Sequence, residues 1–440
     1  MRISRQFTGL GFNLMMLTVS GLLLPGCVES SRPVKAEKVQ TTPDVATAVT
    51  ALEKAGCRLK KDAAGLVTEI AVSSDTDFSE SLKQLAGVPN IKTARFGGPG
   101  MNDKGMASIS SLKALKRLDL TDCPAIGDDT LKVIGGMPNI DVLILRRVGF
   151  SDEGLAFVSK LPKLRALDLR NTFVSDAGIA HLAGLKSLVD LQLENTKITD
   201  AAIEHLKGLP LKSLNLNYDT SVTDDAMSAI ASIAELESLQ MDNTRLTDVG
   251  MAEIAKLKRL RRFACRQANI SGEGIKNLAG LTELTRLELR ETAIDDESLE
   301  IIANLPKLTY LDISECRILK GKTIGVLSKL SELRYLELRE IKKVKDDNFA
   351  TLGTLTNLTE LNLEGTRITD VSTPTLLKLR KLERLSVAGS QMGDEGIIQL
   401  SQLPALKWLD LKNSLPKPET VTALRAASPG IEIVLSSNGE

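Results

Sequence analysis

Two histidines, five cysteines and several close sets of carboxylates are the residues of this 440-residue chain with the most chemistry to offer if the fold brought them together. His181 and His205 stand 24 residues apart in near-identical text, A-H-L-A-G-L and E-H-L-K-G-L, so neighbouring helices would set them side by side. Two imidazoles are half a zinc site, and no third and fourth ligand accompanies them; the pair reads as ordinary helix surface. No phosphate-binding glycine loop, no G-x-S-x-G elbow and no H-E-x-x-H occurs. The one glycine cluster, Gly97-Gly98-Pro99-Gly100, reads as an irregular connection rather than a phosphate cradle. With two histidines in all, general acid and base candidates are scarce. The chain therefore reads as non-enzymatic, with carboxylate-only chemistry the one catalytic route left, and with no cofactor or metal expected. Calcium would need a D-x-D-x-D-G loop, which is lacking.

What positions every one of these residues is a repeat. An L-x-x-L-x-L pattern begins at Val67 and Ile91, continues through Leu164, Leu188 and Leu211, and ends at Leu406 and Ile431, at spacings of 23, 24 or 25 residues. Positions 1, 4 and 6, as in Leu188, Leu191 and Leu193, alternate as a short strand does. Position 9 is small or weakly polar (Thr172, Thr196, Thr244, Thr292, Cys316, Thr366, Ser390), which suits a buried column satisfying turn backbone. Ser or Thr at position 12 followed by Asp, as in Ser175-Asp176 and Thr199-Asp200, predicts a helix N-cap and an anion at the helix start. Apolar residues at positions 16, 19 and 22 line a helical face, and Pro162, Pro210, Pro306 or Pro404 then ends it. Aromatics make up 3% of the chain, with three Tyr and one Trp. The core must therefore be repeated Leu and Ile, as stacked units use.

The register disposes of most cysteine pairings. Cys123 and Cys316 share position 9 but lie eight repeats apart, roughly 38 Å, whereas a disulfide needs Cα atoms within about 7 Å. Cys265 takes core position 6 and Cys57 sits before the repeats, so no disulfide is expected.

These units resemble the leucine-rich-repeat family, most closely its ribonuclease-inhibitor-like class, over residues 67 to about 435. The resemblance implies an α/β solenoid curved into a horseshoe, with a parallel sheet on the concave face and helices on the convex side. Curvature also follows from spacing, since strands stack about 4.8 Å apart and helices need about 8–10 Å. The expected organisation is a signal peptide at 1–26, lipid attachment and tether at 27–43, an N-terminal cap at 44–66, fifteen repeats at 67–430, and a final strand and tail at 431–440.

Positions 3, 5, 7 and 8 should point out of the sheet or along its edge, and here the repeats diverge. Tyr218 falls at position 8 and Tyr310, Tyr335 and Trp408 at position 3. Tyr and Trp dominate interface energetics, although a ring with no place in a leucine core would be displaced outward in any case. Position 5 supplies Glu288, Asp312 and Glu337 from successive strands, and position 8 supplies Glu291, Glu315 and Glu340. Stacked like charges repel. Arg286, Arg290 and Arg339 stand close enough to neutralise part of the set; otherwise the columns form an acidic, aromatic-flanked patch for a basic or mixed-charge partner.

At the amino terminus Arg2 and Arg5 precede an apolar run from Leu10 to Leu24, ending L-P-G-C at Cys27. The run is too short for a membrane span and reads as an export signal. The ending resembles a bacterial lipoprotein signal, which would make Cys27 the lipidated residue; a plain secretory signal with an incidental Cys is the alternative. Subtracting Arg2 and Arg5 from 56 basic residues leaves 54 against 56 acidic ones, a net charge of −2. No basic tail offers itself to anionic lipid or nucleic acid. The expected protein is thus a monomer anchored by lipid in a bacterial envelope, on its periplasmic or surface side, binding a protein on its concave face. Alternatives are a cell-wall polysaccharide or small-ligand receptor, or a substrate adaptor similar to F-box leucine-rich-repeat proteins, although residues 28–66 show no F-box.

Overall fold

Three residues of each repeat from Leu115 onward, positions 3 to 5, form strand, and the rest of the unit returns the chain to start the next one. The computed structural model describes residues 42–435. The signal, Cys27 and most of the tether lie outside the described residues. A helix Ala46–Lys54 and a hairpin open the solenoid, with Arg58–Lys61 antiparallel to Val67–Ser73 around a turn closed by Gly65 at φ 82°. Sixteen parallel strands follow among the described residues, from Val67–Ser73 to Glu432–Val434, each pairing with the strand of the next repeat. The register is uniform: Leu167 pairs with Leu191, Leu214 with Leu239, Leu311 with Leu336. A 24-residue period can only stack in this way, because slipping one residue would turn position 4 out of the core.

The inward positions are those of the pattern. In the unit from Leu188, the side chains of Leu188, Leu191, Leu193, Ile198, Ile203, Leu206 and Leu209 are all buried. Aromatic residues enter the core more than the leucine pattern suggests, since Phe96, Phe263 and Phe349 are its largest fully buried side chains. Helices between strands are shorter than the apolar spacing predicts. They run four to eight residues, except for the ten of the last, Pro418–Ala427, and commonly tighten into a 3-10 turn, as Asp176–Ala180 does into His181–Gly184. Position 19 lies in that turn and position 22 directly after it, where the narrower winding brings the chain back within its 24 residues.

The predicted caps form. Ser175, Thr199 and Thr247 each accept from the backbone N–H two residues on. The aspartate beside each cap does more than face the helix dipole. Asp176 accepts from the backbone N–H and the hydroxyl of Thr199, both at 2.7 Å, and Asp200 accepts from Thr223 at 2.7 and 2.8 Å. A polar ladder therefore runs along the helix starts from repeat to repeat. Gly178 and Gly250 leave room for it, because a Cβ at either would strike the aspartate of the preceding repeat. Where Gly272 replaces the aspartate, Asp295 of the next repeat caps its own helix through Ser298.

Position 9 is the expected buried column. Thr172, Thr244, Thr292 and Thr366 each donate to the carbonyl three residues back. Position 8 has a feature the pattern does not reveal: φ lies between 55° and 90° in every repeat from Ile91 to Leu406. Glycine and asparagine take this left-handed turn readily, as at Gly365, Gly389, Asn171 and Asn195; Arg147, Tyr218, Glu291, Glu315 and Glu340 are held in it by the neighbouring ladders. The cysteines Cys57, Cys123, Cys265 and Cys316 are buried free thiols.

Candidate binding face

Successive strands Arg286–Glu288, Tyr310–Asp312 and Tyr335–Glu337 lie side by side, and their registers place Arg286, Tyr310 and Tyr335 in one column. The column is stacked. The Arg286 guanidinium lies 3.6 Å from the Tyr310 ring centre, and Tyr310 and Tyr335 stack at 4.0 Å with 6° between their planes. All three side chains are half-buried. Stacking at strand spacing follows because flat groups at matched positions of a parallel ladder meet face to face.

Position 5 behaves differently from its predicted outward exposure. Glu288 is 1% exposed and Asp312 is also buried, while Glu337 is half-buried. Glu288 is held by three guanidiniums: Arg286 at 2.6 Å, Arg262 at 2.9 Å and Arg266 at 3.7 Å. Burial would raise its pKa, but the hydrogen bond from Arg286 and the charges of Arg262, Arg286 and Arg266 outweigh that and lower it. Asp312 has no such partner; it accepts from Ser314 N at 3.0 Å, and burial pushes its pKa up. Glu337 accepts from the Tyr335 hydroxyl at 2.5 Å, and burial, with Asp312 adding to it, takes its pKa to about 7. The same burial raises Tyr310 to about 12.

At the edge, Glu315 lies 2.8 Å from Arg290 and 3.2 Å from Arg339, Arg290 also reaches Glu291 at 3.0 Å, and Arg339 reaches Glu364 at 3.3 Å. Of the two expected arrangements the ladder takes the mixed one: arginines interleave with the carboxylates, and burial raises the pKa of Asp312 and of Glu337. No partner is needed to quench the repulsion.

The fold brings Arg286, Glu288, Arg290, Tyr310, Asp312, Tyr335, Glu337 and Arg339 together. It leaves Tyr218 and Trp408 apart, four repeats before Tyr310 and three beyond Tyr335. Tyr218 is 48% exposed at its left-handed turn, and Trp408 carries Arg384 over its ring at 4.2 Å. His181 and His205 are exposed on the convex side, and no group of metal-ligating side chains is found among the described residues.

One residue went unnoticed in the sequence although its signal was there. Asp219 occupies position 9, where neighbouring repeats carry Thr. It is 2% exposed; Oδ1 accepts from the Thr196 backbone at 2.8 Å and hydroxyl at 3.1 Å, while Oδ2 has no partner. Burial raises its pKa to about 7.

The fold and this face define a leucine-rich-repeat solenoid. A model described as "Leucine-rich repeat region" matches residues 102–324, and a second, "Leucine Rich repeat", matches 354–372 and 378–401. The chain belongs to the leucine-rich-repeat family. Among solved structures it is similar to an internalin of Listeria monocytogenes, with TM-score 0.56 and 21% identity over 86% of this chain and 100% of that one. It is also similar to a leucine-rich-repeat protein of Leptospira interrogans, with TM-score 0.53 and 21% identity over 80% and 91% of the two chains. At these identities the likeness is one of fold. No curated protein matches the sequence.

Proposed function

We propose that this protein is a non-catalytic binding protein of a bacterial envelope, tethered by lipid on Cys27, that holds a protein partner on the concave face of the repeats beginning at Leu284, Leu308 and Leu333. On this reading residues 1–26 are removed, 27–43 form the tether, 44–66 cap the array and the repeats run from 67 to 430 in the ribonuclease-inhibitor-like style. The observation that carries the protein reading is the occupied ring faces. Tyr310 has Arg286 on one face and Tyr335 on the other, and Arg384 covers Trp408. A polysaccharide would stack its sugars on open ring faces, and Tyr310 has neither face free; guanidiniums set beside aromatic rings suit a protein surface.

Affinity capture from the native envelope, with protein and sugar analysis of what is retained, identifies the partner. Titrating it against Tyr310→Ala with Tyr335→Ala is expected to lose roughly 2 kcal/mol or more of binding. A control on the convex side, Glu204→Ala with His205→Ala, should bind as wild type. Equal affinity for both variants, at matched melting temperatures, would move the site off this face.

A further inference from the structure

A second surface lies on the rim where the strands begin, away from the concave face. A groove of about 570 Å³ there is lined by Lys116, Lys163, Arg165 and Lys186 against one carboxylate, Asp141. None of the four cations forms an ion pair among the described residues; Lys163 donates to Asn139 at 2.8 Å and Lys186 to the Ala183 carbonyl at 3.2 Å. Further along the same rim several cations are neutralised by a carboxylate of the adjacent repeat, although Arg261, Arg334 and Lys381 also form no ion pair among the described residues. Lys212 pairs with Glu237 at 3.0 Å, Lys307 with Glu283 at 2.6 Å, Lys407 with Glu383 at 2.8 Å, and Arg259 with Glu235. In a chain near overall neutrality, this groove thus gathers four unpaired cations against a single carboxylate.

The chain also joins the solenoid on this rim. Asn90, just before Ile91, donates to the Thr42 carbonyl at 2.6 Å, and Val67 N donates to Asp44 at 2.5 Å. Asn90 holds the place in its repeat that Asn139 and Lys163 hold in theirs. Thr42, the first described residue, thus stands on the rim that carries the groove, and the fifteen residues from Cys27 to Thr42 are long enough to span about 50 Å when extended.

From these two observations we infer that the groove receives the phosphates of anionic phospholipid headgroups and docks the first repeats on a membrane surface, leaving the concave face open to the partner. The orientation rests on the envelope reading above; the charge of the groove does not. Lysine and arginine side chains at an anionic surface act through a screened attraction, so docking must weaken with salt.

The test is co-sedimentation of the full chain with vesicles of phosphatidylcholine alone and of phosphatidylcholine with phosphatidylglycerol, at low and high NaCl. Lipid on Cys27 or an apolar leader would bind both vesicle types alike, so the difference between them isolates headgroup charge. A clear preference for the anionic vesicles, abolished by salt, is expected. Lys163→Gln, Arg165→Gln and Lys186→Gln together should reduce that preference on the order of a hundredfold. The paired-rim control Arg259→Gln, Lys307→Gln and Lys407→Gln should keep it. Equal binding to both vesicle types, or equal loss in the control, overturns the proposal. Binding to polyglutamate without binding to anionic vesicles also overturns it, in favour of an acidic protein. Separately, Cys27→Ser should release the protein from native membrane pellets at high salt; retention there sinks lipidation and leaves the vesicle result standing on its own.

Discussion

A carboxyl buried without a counter-charge is more comfortable protonated, and Asp219 and Glu337 both reach a pKa of about 7 from ordinary values near 4. For each group the native state holds a proton that the unfolded chain releases between pH about 4 and 7. The unfolded state binds fewer protons in that window, so stability falls as pH rises through it, and the full penalty is present above pH 7. Asp219→Asn keeps the acceptor for Thr196 and removes the titration. Its stability advantage over wild type is expected to be larger at pH 8 than at pH 5 by about 2–3 kcal/mol, read from urea unfolding. An advantage independent of pH would show that Asp219 is ionised throughout. Glu337→Gln, which preserves an acceptor for Tyr335, should change the pH dependence in the same direction.

Short helices gain little from their own hydrogen bonding, and those between the strands, four to eight residues long except for Pro418–Ala427, are held by what their first turns touch. The aspartate ladder ties each helix start to the next. Asp200→Ala would leave the Thr223 N–H and hydroxyl without their acceptor, an expected loss of about 1–3 kcal/mol. Amide exchange at Thr223 should accelerate along with the drop in stability. Unchanged exchange there would mean that the ladder follows the packing of the helices without supporting it.

Contacts in a solenoid reach only adjacent units, so stability is a chain of nearest-neighbour interfaces and a break in the middle divides the array. Leu239 is fully buried in strand Ser238–Gln240, paired with Leu214 and Phe263. Leu239→Asp would place a charge in that core, and a loss of several kcal/mol is expected. Limited proteolysis should then cut near the repeats beginning at Leu211 and Leu236 before it cuts the ends. Cleavage beginning at the ends, at an unaltered melting temperature, would contradict the inward assignment of position 4.

The strand of every repeat, its inward leucines, the threonine column and the helix caps at Ser175 and Thr199 could be read from the linear text, because each depends on neighbours a few residues away and on a period that repeats them. The candidate face was legible only as a set of columns. Which carboxylates meet an arginine, whether Glu288 sees water, that Tyr310 loses both ring faces, and that Lys163 and Arg165 stand unpaired while Lys307 finds Glu283 are relations between residues about 24 or more positions apart. Those relations depend on sheet curvature and on side-chain reach across strands at about 4.8 Å. Local pattern specifies the unit; only stacking the units decides which charges cancel, which aromatics are covered, and which surface is left to bind.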